Sequence, residues 1–93
     1  MTNEKDRIIG NDAKALLENP LFKDAFLAVA EYLDAKALAC DPDNKDMAQR
    51  IILSKQLLQG IKREIERKVE NGMIAEVRLS ELEQRKRFAI FRR

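Results

Sequence analysis

Met47, Ile51, Ser54, Leu58, Ile61, Ile65 and Lys68 recur at 4-3-4-3-4-3 spacing. A series of that kind over more than twenty residues suits one face of an α-helix and no β-strand, because side chains on a strand alternate with period two. It reads as a heptad seam with Ser54 and Lys68 as its polar members. Ile52, Leu57 and Val69 flank it, and Lys55, Lys62, Arg63, Glu66, Arg67 and Glu70 occupy the opposite side. The spacing predicts a helix over about residues 44–71, the longest element of the chain. Gly60 lies inside it at a cost of about 1 kcal/mol against alanine. Gly72, after Glu70-Asn71, is expected to end it as a left-handed C′ residue.

A second helical period precedes it. Phe22, Phe26, Val29, Leu33 and Ala37 are spaced 4-3-4-4, and Leu21, Ala25, Ala28 and Tyr32 widen the stripe. Pro20 fixes its start: the residue before proline avoids the α region, and Asn19 with Pro20 can serve as N-cap and first helical residue. The stretch "CDPDN" at 40–44 separates the two helices. Proline has a fixed φ there, aspartate side chains can bond nearby backbone N–H groups, and Asn44 or Asp43 can cap the longer helix.

"NDAKALLENP" reads as a short helix capped by Asn11 or Asp12, preceded by an arm over residues 1–10 that ends at Gly10 and carries Ile8 and Ile9. After Gly72, Met73, Ile74 and Val77 form a short apolar link. Ser80 with Glu83 matches a capping box, so a last helix is expected from Ser80, or from Ile74 to the end. The expectation is an all-α fold: an arm (1–10), a domain (11–72) of a short helix and an antiparallel helical hairpin, and a basic C-terminal helix (73–93).

Several kinds of chemistry find no residues to carry them. The chain has no histidine, the most common general base and metal ligand. Cys40 is the single cysteine, so no internal disulfide forms, and it reads as a small buried or half-buried residue in a reducing, cytoplasmic setting. Gly10, Gly60 and Gly72 are too far apart for a phosphate loop. Asp41, Asp43 and Asp46 lack the glycine and terminal glutamate of a calcium loop, and a turn with a helix cap is the simpler reading. No apolar run reaches the about 20 residues that a membrane span requires. The sequence points to a non-enzymatic protein without cofactor or metal.

Two interaction surfaces are expected. A chain of 93 residues folding alone buries a modest fraction of its surface, and association with copies of itself buries more. Ile51, Ser54, Leu58, Ile61 and Ile65 are the candidate self-association residues, with Ser54 and Lys68 selecting partner and register. The second surface is the C-terminus. The net charge of +2 is uneven, since residues 73–93 carry six basic and three acidic groups. Arg85, Lys86, Arg87, Arg92 and Arg93 with Phe88 and Phe91 form a docking element for a larger protein. Alternatively they contact nucleic-acid phosphates and bases, or the cations merely suit a helix C-terminus.

Leu16-Leu17-Glu18-Asn19-Pro20-Leu21-Phe22 with Ala25-Phe26, then an acidic turn and "RIILSKQLLQGIKREIERKVENG", resembles small α-helical hairpin proteins of tailed bacteriophages over residues 12–72. The resemblance implies a part in virion assembly or DNA packaging, with the protein in the host cytoplasm or the virion. A small terminase subunit is one comparison, but the chain shows no helix-turn-helix reader, and the basic tail matches nothing in the resemblance. Two other readings stand beside it: a nucleic-acid-binding regulator built as a dimeric helical bundle, and a host-takeover inhibitor.

Overall fold

The computed structural model describes the backbone of residues 3–91 and the side chains of residues 3–87. It contains three α-helices, α1 (Asn3–Glu18), α2 (Pro20–Ala39) and α3 (Lys45–Phe91), and no strand among the described residues. The all-α class stands. The chain divides into two compact units: Leu16–Glu64, and Met1–Ala15 together with Ile65–Arg93.

In the Leu16–Glu64 unit the boundaries obey local chemistry. The Phe22 N–H donates to Asn19 Oδ1 at 3.1 Å, and Pro20 sits at the start of α2, where its missing N–H costs no helical hydrogen bond. Cys40 closes α2 in an extended conformation. The Asp43 N–H donates to Asp41 Oδ1 at 2.9 Å, folding the turn, and the Met47 N–H donates to Asn44 Oδ1 at 3.2 Å, capping α3. Phe22, Phe26 and Leu33 of α2 and Leu58 of α3 are half-buried, and Ile51 is buried. Lys55 Nζ lies 2.7 Å from Asp34 Oδ1, and the Lys62 ammonium lies 5.8 Å from the Phe26 ring centre. These two lysines, read from the sequence as opposite the seam, stand one turn beyond Ile51 and Leu58 and face α2 with them.

In the other unit, two sequence expectations are corrected. Residues 3–10 are not an arm but the first half of α1, so Asn11 and Asp12 are interior residues rather than caps. Glu4 and Asp6 occupy the first turn, where the helix dipole favours acids. Gly72 does not end a helix: no glycine has positive φ, and α3 runs through it to Phe91. Neither Ile74 nor Ser80 starts a new element, and residues 73–91 are rich in good helix formers. One contact explains both corrections. An alanine Cβ at Gly10 would stand 2.6 Å from Gly72 Cα and 3.0 Å from the Lys68 carbonyl oxygen. A Cβ at Gly72 would stand 2.7 Å from Gly10 Cα. The two helices touch backbone to backbone, with Ala13 and Ala75 also buried. Glycine is needed here for close approach rather than for a turn.

Candidate interaction surfaces

Seven residues make nearly two helical turns, so each alternate member of the α3 seam lies on its own row. In the Leu16–Glu64 unit the two rows have different fates. Ile51 is 6% exposed and Leu58 is half-buried, whereas Met47, Ser54 and Ile61 are exposed. Ile51 belongs to a shallow hollow with Ala37, Cys40, Ala48, Ile52 and Lys55, so packing within the chain already uses it. Ile65, in the other unit, is half-buried. The Ser54 hydroxyl donates to the Arg50 carbonyl oxygen at 2.8 Å. A serine bonded back to its own helix is satisfied without a partner and sets no register through its hydroxyl.

The unit leaves much apolar surface uncovered. On α3, Ile52, Leu53, Leu57 and Ile61 are exposed; on α2, Leu21 (77%), Leu27, Val29, Tyr32 (59%) and Leu38 (91%) are exposed. The Tyr32 ring carries the Lys36 ammonium 5.5 Å from its centre. Among the described residues no large side chain is fully buried.

In the unit of Met1–Ala15 and Ile65–Arg93, Arg85, Lys86 and Arg87 are exposed on α3. Arg78 and Arg85 line a shallow cleft with Asn3, Glu81 and Leu82. Two arginines seven residues apart stand on one side of a helix. The side chains of Phe88, Phe91, Arg92 and Arg93 lie outside the described residues. Met73, Ile74 and Val77, expected from the sequence to form a link, instead line an open apolar hollow with Arg78 and Glu81 on a continuous helix. Their helical spacing was the signal for it, masked by the expectation that Gly72 ends the helix.

Asp41, Asp43 and Asp46 do not converge: among the described residues no group of three potential metal ligands is brought together. Half-buried Cys40 points its Sγ at the carbonyl oxygens of Asp41 and Asn44. No described helix is long and apolar enough to cross a membrane. No protein family, curated protein or solved structure matches the chain.

Proposed function

We propose that this chain is a non-enzymatic interaction protein that associates with copies of itself to complete its core and docks on a larger partner through the basic end of α3. The observation that carries this reading is exposed apolar surface: in the Leu16–Glu64 unit Leu21, Leu27, Tyr32, Leu38, Leu53, Leu57 and Ile61 stand open to solvent. Their removal from water is the main force available for association.

The building block in this reading is an antiparallel hairpin of α2 and the first part of α3. Two contacts support it. Asp34 meets Lys55 and Phe26 meets Lys62, so eight residues back along α2 correspond to seven forward along α3. The five-residue connection from Cys40 to Asn44 suits neighbours running in opposite directions. Ile51 and Leu58 hold the hairpin together, and the outer row of the seam, Ser54 and Ile61, lies outside that contact. The resemblance of residues 16–26 to small phage proteins supports virion assembly or DNA packaging as the setting, in the host cytoplasm or the virion.

Thermal unfolding over a hundredfold range of protein concentration tests the reading. A subunit stabilised by its copies has a Tm that rises with concentration. A Tm independent of concentration contradicts self-association.

A second reading, direct nucleic-acid contact, is favoured by the three consecutive exposed cations Arg85, Lys86 and Arg87. It requires binding that weakens steeply with salt and falls when all three become alanine. No binding at low salt removes it.

A further inference from the structure

Helix α2 is apolar around more of its circumference than one neighbour covers. Its twenty residues include five charged ones, Lys23, Asp24, Glu31, Asp34 and Lys36. Phe22, Phe26 and Leu33 form the half-buried row. About a third of a turn away runs a second row, Leu21, Ala25, Ala28, Tyr32, Ala35 and Ala39, at 4-3-4-3-4 spacing. Every member of it is exposed. One helical neighbour covers an apolar stripe of about 100°, so two rows a third of a turn apart call for two neighbours.

We infer that the second neighbour is α2 of another copy of this chain, packed antiparallel across a twofold axis at the level of Ala30. The order of side-chain sizes along the row identifies the occupant. A twofold axis requires that if residue i meets residue j, then j meets i. With the axis at Ala30, Leu21 faces Ala39, Ala25 faces Ala35, and Ala28 faces Tyr32. Each large side chain thus meets an alanine, and the Ala25–Ala35 layers let the helices approach closely. A parallel pairing instead sets Tyr32 against Tyr32 and Leu21 against Leu21, and leaves four all-alanine layers at the same separation.

The other exposed apolar rows are interrupted by charge. Leu53 and Leu57 lead to Glu64 after two turns, and Met73, Ile74 and Val77 lead to Glu81. The α2 row runs from Leu21 to Ala39 with no charged member. The inference rests on the self-association proposed above and specifies its face and direction.

The test uses the full chain with Cys40→Ser. Ala25→Cys and Ala35→Cys are introduced separately, mixed at micromolar concentration and oxidised. The antiparallel pairing predicts mixed disulfides between the two variants and no homodimers. Like positions would then stand about 15 Å apart along the axis, beyond disulfide reach. A companion variant, Ala28→Glu, is compared with the unaltered chain by light scattering and circular dichroism. Helicity retained with the mass falling to that of a single chain supports the inference. A multimer that survives Ala28→Glu, homodimers in place of mixed disulfides, or no disulfide at all in a multimeric protein overturns the α2 face and leaves self-association standing. An unaltered chain that is monomeric overturns both.

Discussion

In the unit of Met1–Ala15 and Ile65–Arg93, α1 and α3 meet backbone to backbone at Gly10 and Gly72; in the Leu16–Glu64 unit, α2 and α3 meet through Ile51, Phe26 and the Asp34–Lys55 pair. The first contact depends on the absence of side chains and the second on their presence. A glycine contact tolerates no added atom, because the obstructing atoms are backbone and cannot swing aside. A side-chain contact tolerates volume changes at a graded cost.

Gly72→Val is the largest expected effect. Its branched side chain meets Gly10 Cα and the Asp6 carbonyl oxygen, with a cost of about 3 kcal/mol by the scale of overpacked cores. Hydrogen exchange should show α1 losing protection while the amides of residues 20–39 keep theirs. Equal loss in both units would break the comparison. Ile51→Ala should cost about 2 kcal/mol in denaturant unfolding, the low end for a buried isoleucine because the surrounding core is thin. Its effect should appear first in the Leu16–Glu64 unit.

Gly60→Ala sharpens the contrast by reversing the sign. A Cβ at Gly60 meets nothing within 4 Å, so alanine should stabilise α3 by about 1 kcal/mol through helix propensity, read as a rise in the denaturant midpoint. A loss instead would place Gly60 in a close contact between copies. Asn19→Ala, which removes the cap bonded to the Phe22 N–H, should cost about 1 kcal/mol in the same measurement. Asp34→Asn should cost a few tenths of a kcal/mol, because both partners of the Lys55 pair are well exposed and screened by solvent.

The same contrast explains what could be read from the chain alone. The Asn19–Pro20 boundary, the "DPDN" turn and the start of the long helix were legible, and its cap was narrowed to Asn44 or Asp43, because each depends on residues within a few positions of one another. Gly10 and Gly72 look like ends in the sequence and are not. Local propensity does favour a break at glycine, but the contact that rewards two helical glycines joins positions 62 residues apart in the chain. The 4-3 periodicity revealed the α3 seam but not which of its two rows faces inward. That choice depends on the partner helix, and it sends Ile51 inward and leaves Ile61 exposed. At the basic end, Arg85, Lys86 and Arg87 are exposed, and they stand on a helix that begins at Lys45. Ser80 and Glu83 match a capping box in type and spacing alone. Helix formers on both sides of Ser80 hold it inside α3, where its own N–H needs no cap.

On this proposal a single chain leaves its core incomplete, and copies of itself complete it. Size-exclusion chromatography with light scattering at micromolar concentration tests this most directly. Self-association predicts a mass that is a multiple of 10.7 kDa. A single species at 10.7 kDa, unchanged up to the highest soluble concentration, would contradict it.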